Sequence, residues 1–153
     1  MKDLDWSNLS FGYRQTDYNV RCYYRDGKWG EIEVCSDEYL KLHMAATCLH
    51  YGQEAFEGLK AYRCPDGKVR VFRMDENAKR LQSTCRGILM PEVPTEMFEE
   101  MVKKVVRLNQ EWIPTYESGA TLYIRPLLIG TSAQVGVHPP KEYRFLIFVT
   151  PVA

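Results

Sequence analysis

At 153 residues the chain fits one ordinary domain with a buried core, and its 45% hydrophobic and 26% charged content is that of a soluble globular protein. Lys+Arg and Asp+Glu both number 20, so the net charge is zero and no global field favours nucleic acid or an anionic membrane. The five cysteines, Cys22, Cys35, Cys48, Cys64 and Cys85, are scattered and lack a C-x-x-C pair, which argues against a disulfide scaffold or zinc site and for reduced thiols in an intracellular protein. The first six residues hold no apolar signal core and no apolar run could span a bilayer, so a cytoplasmic location without membrane contact is expected.

Residues 17–35 read as a β-hairpin, with Tyr18, Val20, Cys22 and Tyr24 alternating with polar positions and Asp26-Gly27 as the turn before Trp29, Ile32 and Val34. A second hairpin is predicted around Pro65-Asp66-Gly67, joining a strand over 56–63 to one over 69–72. The period then becomes helical. Asp75 is placed to cap a helix starting near Glu76, with Ala78, Leu81, Cys85 and Ile88 as its apolar stripe, before Pro91 and Pro94 break it. Thr95 reads as the N-cap of a second helix whose core face carries Phe98, Met101, Val102, Val105, Leu108 and Trp112, ending at Pro114. Two strands follow, 121–129 and 143–149, separated by a loop holding Gly136, Pro139 and Pro140. Strands, two helices, then strands predict an α+β domain. The apolar run 145–149 reads either as a small edge-completing terminal strand or as part of the front of a longer protein.

The chemistry concentrates in segment 49–63. There Gly58 lies between Glu57 and Lys60 in a stretch otherwise fit for burial, so either something approaches the backbone closely or the charges have partners. Tyr123 and Arg125 are two apart on a strand and share a face. The planar fork of Arg125 suits a carboxylate or phosphate, or a structural pair with Glu57. Arg80 flanks the buried face of the first helix and does not sit on its far side, and a snorkelling surface arginine is the commoner reading of such a position. Lys60 is the obvious candidate nucleophile, but Glu57 and Arg63 adjoin it and nothing nearby would depress its pKa, so it reads as a structural or salt-bridged lysine. His43, His50 and His138 form no metal pair, and no glycine-rich phosphate loop or G-x-S-x-G elbow occurs.

Segment 49–63 resembles the H-Y-[GA]-x-x-x-F-E-G-[LMI]-[KR] signature of branched-chain amino acid aminotransferases, and three further stretches, 72–81, 122–130 and 135–140, agree with that family in order. The resemblance covers nearly the whole chain. It implies a fold type IV enzyme using pyridoxal 5′-phosphate, with a small N-terminal α+β domain of mostly antiparallel sheet and two helices. It also implies transfer of an amino group between leucine, isoleucine or valine and 2-oxoglutarate, in a homodimer. By motif, Arg80 would bind the cofactor phosphate. Tyr51, Phe56 and Tyr123 would line the pocket for the branched side chain, and Gly58 would leave it room. Arg125 would meet the carboxylate of glutamate or 2-oxoglutarate. Val137 would close the pocket, with Tyr51 and Val137 serving the neighbouring subunit. In that family the Schiff-base lysine belongs to a C-terminal domain. Residues 1–153 are therefore expected to be the N-terminal small domain, with no catalytic residue of their own and no activity alone. Rival readings are a D-amino acid aminotransferase or aminodeoxychorismate lyase of the same fold, and a non-catalytic module for dimerisation or binding.

Overall fold

The first hairpin closes where its composition predicts. A computed structural model describes the whole chain, residues 1–153, and in it β1 (Asn19–Arg25) turns through Asp26 (φ 53°) and Gly27 (φ 75°) into β2 (Lys28–Trp29), with Arg25 opposite Lys28. Positive φ at both central positions is the type I′ turn, whose twist matches the strands it joins. The returning strand is interrupted after Trp29 and rejoins β1 as β3 (Glu33–Cys35). A short helix that the periodicity did not reveal, α1 (Thr47–Tyr51), precedes β4 (Glu54–Phe56). The second predicted hairpin is formed by β5 (Leu59–Arg63) and β6 (Val69–Val71).

The strand predicted over 56–63 is divided between β4 and β5. Phe56 faces Leu127 and Leu59 faces Ile124, so the register carries unchanged across Glu57 and Gly58. The ladder is broken there because Pro126, opposite Glu57, has no N–H to give. Glu57 still donates its own N–H to the Pro126 carbonyl at 3.0 Å.

Two longer helices follow, α2 (Met74–Gly87) and α3 (Thr95–Leu108), and then β7 (Thr121–Gly130) and β8 (Tyr143–Val152). Their ends differ from the expected caps. α2 begins at Met74, after Arg73 at φ 49°, because the Glu76 N–H bonds back to the Arg73 carbonyl; Asp75 lies inside the first turn and caps nothing. Ile88 lies just past the helix and is exposed. Pro94 occupies the cap of α3, and the Thr95 hydroxyl accepts from Gln82 Nε2 (3.1 Å) instead of capping its own helix. α3 ends at Leu108, short of Pro114, where the buried Asn109 side chain accepts from the Asp17 and Tyr18 N–H groups (both 3.0 Å) and donates to the Val105 carbonyl.

The sheet is antiparallel, in the order β2-β1-β8-β7-β5-β6, with β3 beside β1 and β4 beside β7. β8 is thus an interior strand, not the edge strand considered above, and the apolar run from Phe145 to Val149 follows from its neighbours on both sides. α2 and α3 cover one face. Ala78, Leu81 and Cys85 of α2 and Phe98, Met101, Val102 and Val105 of α3 pack on Val20, Leu122, Ile124, Phe145 and Ile147. A large side chain buried this fully contributes about 1.5–3 kcal/mol, so this stripe and not the caps secures α3. Phe98→Ala would cost about 3–5 kcal/mol.

Alternation on the strands turns Phe56, Lys60, Tyr123, Arg125 and Phe148 to the opposite face. The N-terminal segment crosses that face, pinned where the Arg14 N–H donates to Thr150 Oγ1 (2.9 Å) and the Arg14 carbonyl accepts from it (3.0 Å). No helix is long and apolar enough to cross a membrane.

Candidate active site

The helix-free face gathers four of the predicted site residues. Arg125 lies over the Phe56 ring, its guanidinium carbon 4.5 Å from the ring centre. Its Nε and Nη2 donate to Tyr123 Oη at 3.2 and 2.9 Å. The tyrosine in turn stands over Gly58, where an added Cβ would come to 2.6 Å from Oη. Phe56 is 62% exposed, so its ring is a wall, not a core residue. The arginine stacks on that wall and its Nη1 has no hydrogen-bond partner. A greasy surface with one fixed cationic edge can take an apolar group beside a carboxylate or phosphate.

Two neighbours of this cluster escaped sequence reasoning. Phe11 sets its ring edge-on to Tyr123, with centroids 5.1 Å apart. The Tyr13 hydroxyl donates to Glu38 Oε2 at 2.8 Å; burial first, then that carboxylate, pushes the phenol up to about 12. Nothing in the period of residues 9–16 signals that they cross this face.

Glu57 points the other way, toward α2, and is 3% exposed. Its partner is Arg80, not Arg125. Arg80 Nε donates to Oε1 at 2.8 Å and Nη2 to Oε2 at 2.7 Å, a two-point grip. The adjoining carboxylate raises the arginine's already high pKa. Asn77, one turn earlier on α2, donates Nδ2 to Glu57 Oε2 (3.0 Å) and to the Gly58 carbonyl (3.4 Å). The Arg80 side chain is otherwise exposed, its Nη1 has no hydrogen-bond partner, and it lines a cleft with Phe72, Arg73 and Glu76. Asn77 also lines a second cleft with Gly58, Lys60 and Tyr123, so the two adjoin.

Lys60 forms no ion pair. It lies opposite Tyr123 with no base or acid bound to it, so the salt-bridged reading is corrected. Its expected partner Glu57 is directed to the other face by strand alternation. Tyr51 and Val137 form a separate group. The Tyr51 hydroxyl donates to the Val135 carbonyl, and the loop carrying Val137 is held to the α1 region by Gln134 N–H on the Ala45 carbonyl (3.2 Å). Val137 is 84% exposed, and no hydrogen bond or ring contact of Tyr51 reaches Phe56, Tyr123 or Arg125. His50 Nε2 bonds to the Met44 carbonyl at 2.7 Å, a structural contact.

Known proteins resemble this chain closely. The branched-chain-amino-acid aminotransferase of Haemophilus influenzae is 51% identical over 152 residues, which are 99% of this chain and 44% of that protein. The crystal structure of the Escherichia coli branched-chain amino acid aminotransferase superposes with a TM-score of 0.69 at 27% identity, over 89% of this chain and 40% of that one. A branched-chain amino acid aminotransferase from Thermobaculum terrenum, solved in its PLP-form, shares the fold with a TM-score of 0.67 at 19% identity, over 91% of this chain and 41% of that one. No protein-family profile matches the chain. The likeness to branched-chain aminotransferases thus holds in sequence and in the α+β fold, and the chain spans less than half the length of the relatives it matches.

Proposed function

We propose that this chain is the N-terminal small domain of a branched-chain-amino-acid aminotransferase, forming the substrate-facing wall and the phosphate grip of a site completed by a further domain. The observation that carries this reading is Arg125 stacked on Phe56 and tied to Tyr123 Oη. Leucine, isoleucine and valine present an aliphatic side chain where glutamate and 2-oxoglutarate present a carboxylate. Phe56 and Tyr123 meet the first, and the Nη1 edge of Arg125 meets the second without moving the wall. Fixing the fork on Tyr123 removes rotamer freedom that a free arginine would lose on each binding event.

Pyridoxal 5′-phosphate suits the residues present: Arg80 is held by Glu57 on one side and presents its Nη1 edge on the other, which matches a phosphate. When bound, the cofactor supplies an aldehyde that links to amines and an electron sink for proton loss at Cα. The lysine for that link is assigned to the further domain, because Lys60 lies opposite Tyr123 and forms no ion pair or side-chain hydrogen bond that would hold it for that chemistry. Tyr51 and Val137, separate from the Arg125 cluster, are assigned to the pocket of a second subunit in a cytoplasmic homodimer. Gly58 makes room for the tyrosine wall. The test is turnover of the full-length protein with 2-oxoglutarate and leucine, isoleucine or valine, against D-alanine and aminodeoxychorismate. Preference for either of the last two would replace this reading with a rival of the same fold.

A further inference from the structure

We propose that Glu57 and Asn77 are positioning residues that aim the Nη1 edge of Arg80 at a phosphomonoester; the proposal rests on the reading of Arg80 as the phosphate grip. The pair is asymmetric: the carboxylate is 3% exposed while the guanidinium side chain is 68% exposed. Here the acid is fixed and the base projects into the cleft. Both oxygens of Glu57 are engaged by Arg80, and Asn77 Nδ2 takes a further lone pair of Oε2 at 3.0 Å. The carboxylate therefore cannot turn, and the plane of the guanidinium is set with it. The same Asn77 nitrogen reaches the Gly58 carbonyl at 3.4 Å, which ties the grip to the break between β4 and β5, two residues past the Phe56 wall.

Two effects of removing the Glu57 charge oppose each other. The local potential becomes more positive, which favours a phosphate. The arginine also regains the rotamers of a long surface side chain, which disfavours it. Because Arg80 is largely in water, the potential change is screened and orientation dominates.

The measurement is the affinity of the full-length apoprotein for pyridoxal 5′-phosphate and for pyridoxal, which lacks the phosphate. Arg80→Ala abolishes the preference for the phosphorylated form. Glu57→Gln lowers affinity for pyridoxal 5′-phosphate roughly ten-fold, leaves pyridoxal unchanged and adds nothing in the Arg80→Ala background. Asn77→Ala, on a half-buried helix position, shifts the same preference about two- to three-fold and serves if Glu57→Gln does not fold. The proposal is overturned if both variants keep the wild-type preference, or bind the phosphorylated form more tightly, while Arg80→Ala loses it. Equal losses for both ligands overturn it as well, since they mark a merely structural pair. An Arg80→Ala protein with its preference intact instead removes the phosphate reading beneath it.

Discussion

The hydroxyl of Tyr123 stands where a side chain on residue 58 would begin: a Cβ at Gly58 would lie 2.6 Å from Oη and 3.3 Å from Cζ. The glycine serves the tyrosine, and through it Arg125, whose Nη2 binds the same hydroxyl at 2.9 Å. Gly58→Ala must therefore push Tyr123 off its place and release the arginine. The expected cost is about 1–3 kcal/mol by chemical denaturation. Tyr123→Phe removes the closest clash, so the double variant should lose less than the sum of the two singles. Strict additivity would mean that the two residues do not compete for that space.

Arg125 separates the two substrate classes. Arg125→Ala in the full-length protein should lower kcat/KM for glutamate and 2-oxoglutarate by about ten- to a hundred-fold, the loss of one charge-assisted contact. Leucine should suffer much less, since the Phe56 ring remains. Steady-state kinetics with both amino donors decides this. Equal losses would make the stacking of Arg125 on Phe56 a structural device.

Local chemistry explains which of these features were legible in the sequence. Asp26-Gly27 and Pro65-Asp66-Gly67 marked their hairpins because a turn is set by its own few residues. Tyr123 and Arg125 could be placed on one face because a strand alternates. The partner of Glu57 could not be read, because Arg80 is 23 residues away and meets it only where α2 passes over the break opposite Pro126. The short helix at Thr47–Tyr51 and the passage of Phe11 over Tyr123 also depend on tertiary packing, with no periodic signal of their own. An apolar run such as 145–149 marks burial but not sheet position, so the interior place of β8 emerged only with its two neighbours.

The cysteines should differ in reactivity. All five are free. Burial pushes the Cys85 thiol up to about 11 and raises those of Cys22 and Cys48. The thiolate is the reacting species, so alkylation of the native chain at pH 8 should label Cys35 and Cys64 first and leave Cys85 last. Peptide mass spectrometry over time reads the order. Labelling of Cys85 as fast as Cys64 before unfolding would contradict the packing of α2.

The β5–β6 hairpin should report its own acid transition. Arg70 binds Asp66 through Nη1 to Oδ1 (3.0 Å) and Nη2 to Oδ2 (2.8 Å), and the Lys68 N–H adds a bond to Oδ1 (3.0 Å). The Arg70 hydrogen bonds first, then that N–H, hold the Asp66 carboxyl down at about 2 against an ordinary 3.8. The folded value is depressed, so the stabilisation is complete above the unfolded pKa of about 4 and is lost as pH falls toward 2. Because both side chains are exposed, the contribution to global stability is small and the local titration is the better readout. Carbon-detected NMR of the Asp66 carboxyl should give a midpoint near that low value in the native chain. In Arg70→Ala the midpoint should move most of the way back to that of a free aspartate, the Lys68 N–H holding the remainder. An unchanged midpoint would assign the depression to the turn backbone, and the Arg70 fork would then be incidental to the hairpin.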